Sequence, residues 1–226
     1  MATTTELNIE KIEGRECDML LGAKCLDIID HKYRNIVLHV YRDCDASSPR
    51  EWNDAIVMCG SRRCDYKVEE TWDSVEELEE ELKKDKKNWY YIEEFDLGQG
   101  RNTDVIFYTT KERLQKFTDK KYRTKAKFYE DAKNVVNGDY KVTRNYIEGN
   151  VFGFNLDWEE QEFNGNNPVF ENGYPKWKSM NDSCWGHIYD SLDEFLADLH
   201  ECNNAPVELI PFIKQVCKDS SLYKNY

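Results

Sequence analysis

Strand-forming runs outnumber helix-forming ones in this chain, and the two kinds do not alternate. Asn35-Ile-Val-Leu-His-Val-Tyr41 is rich in β-branched residues and reads as a strong strand. Shorter strands are expected at Cys17–Leu21 and Cys25–Ile29 around Gly22, then at Ala55–Cys59, Asn88–Ile92, Asp104–Thr109 and Ser183–Tyr189. Tyr140–Ile147 and Val151–Trp158, joined through Glu148-Gly-Asn150, are expected to pair as a hairpin. Residues 164–175 read as a turn-rich loop.

Helices are announced mainly by their caps. Ser74-Val-Glu-Glu77 and Ser191-Leu-Asp-Glu194 are capping boxes, the first followed by Leu78 and Leu82 at four-residue spacing. A second helix starts near Thr109, and a longer one is expected over 121–136, stopped by Asn137-Gly138. A last helical piece is expected near 207–217, flanked or kinked by Pro206 and Pro211. Regular βαβ alternation is absent, which excludes a doubly wound sheet. The expectation is an α+β fold with a mostly antiparallel sheet and helices packed on one side. It forms a single domain over 1–226, with two subdomains meeting near 97–104 as the alternative and residues 1–16 flexible.

The 40% apolar and 13% aromatic content supplies a core and excludes a disordered chain. The formal charge of -13 disfavours a sequence-independent nucleic-acid binder, which must neutralise phosphates. No window approaches the ~20 apolar residues of a membrane span, and the N-terminus has no signal-peptide pattern. A cytoplasmic protein that touches no membrane is therefore expected. The eight cysteines are expected to be reduced thiols, since the missing signal and the large core do not fit a secreted disulfide scaffold, and Cys59-x4-Cys64 has no His-x3-His to complete a zinc site. No cofactor is expected.

Three segments carry a resemblance. They are Tyr41–Asp54 (Tyr-Arg-Asp-Cys-Asp-Ala-Ser-Ser-Pro-Arg-Glu-Trp-Asn-Asp), with Met58-Cys-Gly-Ser-Arg-Arg63 after it, then Gly149-Asn-Val-Phe-Gly-Phe154, and Asp182-Ser-Cys-Trp-Gly186. In that order they resemble an uncharacterised family of phage and mobile-element proteins. Its members carry Arg-Asp-x-Asp and Ser-Pro-Arg-Glu-Trp-Asp, and later Gly-Asp-Val-Tyr-Gly-Phe and Asp-Ser-Cys-Trp-Gly. This chain departs at Asn53 and Asn150, where the family shows Asp. It also has Gly60-Ser-Arg-Arg63 in place of an aromatic-His-Arg-Arg run. The resemblance spans roughly residues 38–190. It implies a genomic setting in a virus or mobile element and lends no mechanism.

Asp43, Asp45, Arg50, Glu51 and Trp52, with Arg62 and Arg63 nearby, form the richest patch. Alternate carboxylates at a strand end can hold a hard cation, and with Glu51 and a His they can serve acid–base hydrolysis. The competing reading has Asp43 and Asp45 shape the turn, Arg50 and Glu51 join ion pairs, and Trp52 enter the core. His39 and His187 could meet across the sheet, near Cys44 or Cys184. The Cys184-Trp185-Gly186 run carries the last of the family motifs. No P-loop, H-E-x-x-H or G-x-S-x-G is present.

Charge is unevenly placed. Glu76, Glu79, Glu80 and Glu81 lie on one helix, and Asp193, Glu194, Asp198 and Glu201 on another. Lys111 to Lys127 is basic, with Tyr122, Phe128 and Tyr129 as candidate stacking residues that helical spacing assigns to the core. Rows of carboxylates can imitate a phosphate backbone and occupy a basic cleft. The expected function is a phage or mobile-element binding protein. In this reading it inhibits a basic, nucleic-acid-handling host or phage protein in the host cytoplasm and does not bind nucleic acid directly. A metal-dependent hydrolase or nuclease built on Asp43, Asp45 and Glu51 is the alternative, and a phage structural or housekeeping protein is the third.

Overall fold

The protein is described by a computed structural model covering residues 7–12, 18–72, 74–98 and 100–219. The chain forms two compact units, residues 1–46 with 149–226 and residues 47–148. Leu97, Gly98 and residues 100–104, around the expected meeting point of two subdomains, lie inside the second unit. Cys17 and most of 1–16 fall outside the described residues.

Along the chain the strands run β1 Ile9–Lys11, β2 Met19–Cys25, β3 Tyr33–Arg42, β4 Val57–Gly60, β5 Glu70–Thr71, β6 Tyr90–Asp96 and β7 Asp104–Thr110. They continue with β8 Val151–Gln161, β9 Phe163–Asn164, β10 Asn167–Pro168, β11 Phe170–Glu171, β12 Tyr174–Pro175 and β13 Trp177–Ile188. The helices are α1 Val75–Leu82, α2 Lys111–Thr118, α3 Lys125–Ile147, α4 Leu192–Asp198 and α5 Ile210–Lys218. Among the described residues every strand pair is antiparallel except β4 with β5. The fold is α+β.

The first unit is a five-stranded sheet ordered β1-β2-β3-β8-β13. Period-two alternation sends Ile36, Leu38 and Val40 of β3 to one face, with Phe152, Phe154 and Leu156 of β8 beside them. Phe195 and Leu196 of α4, Leu199 just after it, and Phe212, Ile213 and Val216 of α5 cover that face. Cys25 to Ile29 is not a separate strand: β2 passes through Gly22 unbroken to Cys25. Cys184 packs on this core, and the described cysteines are free thiols.

Beyond Gln161 and Trp177 the β8–β13 ribbon carries two short hairpins in place of the expected loop. Phe163 pairs with Pro168 and Phe170 with Pro175, at the same five-residue separation. The first turn has Gly165 at φ +62°, and the second has Asn172 and Gly173 at φ +53° and +83°. Asn-Gly with both residues left-handed suits the right-handed twist of a two-residue hairpin.

The second unit is a four-stranded sheet ordered β5-β4-β7-β6 with α3 on one face and α1 on the other. α3 replaces the strand expected over 140–147. Its stripe Phe128, Ala132, Val136, Asp139 and Thr143 is buried at three- and four-residue steps, so the helical period continues past Gly138. Gly138 points into open space, and neither it nor Asn137 ends the helix. Ser74 and Thr110 cap α1 and α2 by accepting from the Glu77 and Arg113 amides.

Candidate functional site

The Ser48–Asn53 segment is architecture of the second unit. Pro49–Glu51 is a 3-10 turn whose Arg50 amide donates to Ser48 Oγ at 3.3 Å. The Arg50 guanidinium donates to Glu69 Oε1 at 2.7 Å, to the Ile56 carbonyl at 2.8 Å and to Asp139. Asn53 Nδ2 donates to the other Asp139 oxygen at 2.5 Å, and Glu69 Oε2 accepts from the Met58 amide at 2.6 Å. Burial pushes the Asp139 carboxyl above the usual range in spite of Arg50 and Asn53. An aspartate at 53 would set a second carboxylate against Asp139, which the amide avoids.

Trp52 is not a core residue: 63% of it is exposed. Arg50, two residues before it, and Asn53, just after it, are committed to Asp139, and its own indole is turned outward. Glu51, Arg62 and Arg63 are exposed, and Arg62 and Arg63 sit in a turn after β4 away from the Arg50 network.

Asp43 and Asp45 belong to the first unit. Asp43 Oδ1 accepts from the Asp45 amide at 3.2 Å, an Asx-type turn, and the Asp43 amide donates to Val151 O at 2.8 Å. Around them lies an open pocket of about 310 Å³ lined by Asp18, Tyr41, Arg42, Cys44, Asn155 and Trp185. Partial desolvation and the neighbouring Asp18 raise the Cys44 thiol pKa. Among the described residues no three His, Cys, Asp or Glu side chains are grouped to hold a metal ion.

Trp185 owes its position to three features. The β13 register against β8 shifts between Cys184 and His187, so Trp185 and Gly186 form a bulge, with Gly186 at φ +79°. The indole lies over Gly153, where any Cβ would collide with it. It stacks on Tyr41, with centroids 5.4 Å apart and planes at 27°. Even so, 46% of Trp185 stays exposed. Segments 41–45, 149–155 and 182–186, distant in sequence, thus converge on one pocket.

His39 and His187 do not meet. His39 lies on the Tyr41 side of the sheet, in register with Asn155. His187 sits on the opposite, core side, against Phe154 and Phe195. Burial lowers the His187 pKa, and its Nε2 has no partner.

The two acidic helices differ. On α1, Glu79 pairs with Lys83 at 2.6 Å and Glu81 with Lys84, so its carboxylates are partly compensated; Glu76 and Glu80 stay exposed. On α4 and the turn after it, Asp193, Glu194, Asp198 and Glu201 are exposed, and no Lys or Arg occurs from 182 to 208. The second unit holds 20 Lys and Arg against 22 Asp and Glu, leaving the first with 11 against 22. Nearly all of the net charge therefore belongs to the first unit.

Tyr122 and Phe128 are core residues, 5% and 0% exposed. The exposed aromatics beside the basic helix are instead Trp52 and Phe117, which line one groove. The sequence singled out Trp52 but assigned it to the core, and it missed Phe117. The only signal was Phe117 on the polar side of a helix whose buried residue is Leu114. Among the described residues no helix is long and apolar enough to cross a membrane. No protein-family model, curated protein or solved structure matches the chain.

Proposed function

We propose that this chain is a non-enzymatic binding protein of a phage or mobile element. It holds a basic, nucleic-acid-handling partner in the host cytoplasm and inhibits or redirects it. The observation that carries this reading is Trp185, held half-exposed by a bulge, a glycine and a stacked tyrosine beside Asp18, Asp43 and Asp45. An indole face flanked by carboxylates suits a guanidinium or ammonium group, through cation–π attraction and charge-assisted hydrogen bonds. The twofold excess of acid over base in the first unit would steer such a partner from a distance and select against acidic ones.

The test is capture of host proteins on immobilised protein at low and moderate salt, comparing wild type, Trp185→Ala and Asp43→Asn/Asp45→Asn. The expected result is one salt-sensitive basic partner that both variants lose and whose activity the wild type inhibits. A partner retained equally by both variants, or none at either salt, refutes the reading.

A further inference from the structure

The second unit carries an exposed aromatic surface of its own, independent of the Trp185 pocket. Trp52, Ala55, Arg113, Lys116 and Phe117 line an open groove of about 690 Å³. Trp52 and Phe117 are 63% and 57% exposed. The Trp52 backbone is fixed on both sides, since Arg50 and Asn53 both bind the buried Asp139, and its own amide donates to Pro49 O at 3.4 Å. Arg113 Nη1 donates to the Asp54 carbonyl at 3.1 Å, tying α2 to the same loop. The indole is therefore presented outward on a backbone that needs little ordering when a ligand arrives.

Arg113 and Lys116 line this groove and belong to a basic stretch of the chain. Residues 111–127 contain eight Lys and Arg and two Asp and Glu, an island of positive charge in a chain of net charge -13. Lys120 and Lys127 are held by Asp131, whereas Lys116, Lys121 and Arg123 form no ion pair among the described residues.

We infer that this groove binds single-stranded nucleic acid, with Trp52 and Phe117 stacking on bases and Arg113 and Lys116 meeting phosphates. Two exposed π-faces beside cations match a polymer that brings a planar ring with every charge. An acidic peptide would meet the cations and leave both rings in water. A duplex keeps its bases stacked on each other and offers no free face. Asp54 and Glu112 also line the groove, so stacking carries most of the affinity and only about two phosphates are neutralised.

The experiment is fluorescence anisotropy of labelled twelve-nucleotide single-stranded DNA and RNA titrated with the full chain. The variants are Trp52→Ala, Phe117→Ala and Lys116→Glu, with Trp185→Ala as control, and each is checked for folding by circular dichroism. Loss of about tenfold in affinity is expected for each aromatic truncation, none for Trp185→Ala, and at least tenfold weaker binding to the duplex. Two neutralised phosphates give a log–log salt slope of about -1.4, hence about sevenfold loss between 50 and 200 mM salt. Binding unchanged by Trp52→Ala and Phe117→Ala, no binding at 50 mM salt, or equal affinity for an oligoglutamate peptide would each overturn the proposal. Because the control variant separates the two surfaces, failure here leaves the Trp185 reading untouched.

Discussion

Arg50→Ala is the perturbation whose size follows most directly from the structure. The guanidinium is 10% exposed and the Asp139 carboxylate 3% exposed. Removing Arg50 strips Asp139 of its cation and leaves Asn53 as its partner in a buried site. Breaking a buried pair in this way costs about 3–5 kcal/mol, most of it from the charge left behind. Asp139→Asn should cost less, about 1–2 kcal/mol, because Arg50 keeps Glu69 and the Ile56 carbonyl. It follows that Arg50→Ala/Asp139→Asn should be more stable than Arg50→Ala alone, although it carries one more substitution. Urea unfolding followed by fluorescence and circular dichroism, fitted with one transition for each unit, measures this. Acid gives a second readout. The folded Asp139 pKa lies above its unfolded value, so the folded state binds the proton more tightly. Stability at this site therefore rises as pH falls from neutrality towards about 4, and the Arg50→Ala defect should shrink. A double variant less stable than Arg50→Ala, or a defect that grows on acidification to pH 5, would refute the reasoning.

Two further outcomes are expected in the first unit. His187 is depressed by burial, so its site holds stability above the unfolded histidine pKa of about 6.5 and loses it as pH falls through that value towards the folded one. His187→Phe keeps the ring stack on Phe154 and Phe195 and removes the proton. Its urea midpoint should fall less than that of wild type between pH 7.5 and 5.5, and an equal fall would assign the acid sensitivity elsewhere. Gly153→Ala forces the Trp185 ring off the β8 backbone, at a cost of about 1–3 kcal/mol of overpacking. It should also abolish partner capture as fully as Trp185→Ala, and capture at wild-type level would show that the stacked ring is not the binding element.

What could be read in the sequence was local. β3 and β7 follow from runs of apolar and β-branched residues, and α1 and α4 from Ser74 and Ser191, whose side chains accept the bonds that their spacing implied. α3 was misread because residues 140–147 alternate in a strand-like way after Asn137-Gly138, a common helix stop. The deciding signal lay in a longer window, where positions 128, 132, 136, 139 and 143 keep one face buried. Asp139 itself was legible in retrospect, as a charged residue on the buried stripe after Phe128, Ala132 and Val136, where a carboxyl needs a partner. Nothing local names Arg50 as that cation, 89 residues earlier. Trp52 shows the reverse failure: composition sends a tryptophan inward, but the geometry of its pinned neighbours turns it out.

The Tyr41–Asp54 stretch looks like one motif and does two jobs, because the boundary between the units falls after Ala46. Residues 41–45 build the pocket beside Trp185, whereas 48–53 assemble the interior around Asp139. A catalytic reading of the stretch treats Asp43, Asp45 and Glu51 as one carboxylate set. Yet one Asp43 oxygen is taken up by the turn, and Glu51 is an exposed residue of a 3-10 turn in the other unit. Substitutions only a few residues apart should therefore separate cleanly. Asp43→Asn and Asp45→Asn act on binding with little effect on the unfolding midpoint, and Arg50→Ala acts on the midpoint of the second unit. That division follows from buried and exposed charge obeying different rules: an exposed carboxylate is free to meet a partner, and a buried one is already spent on its own fold.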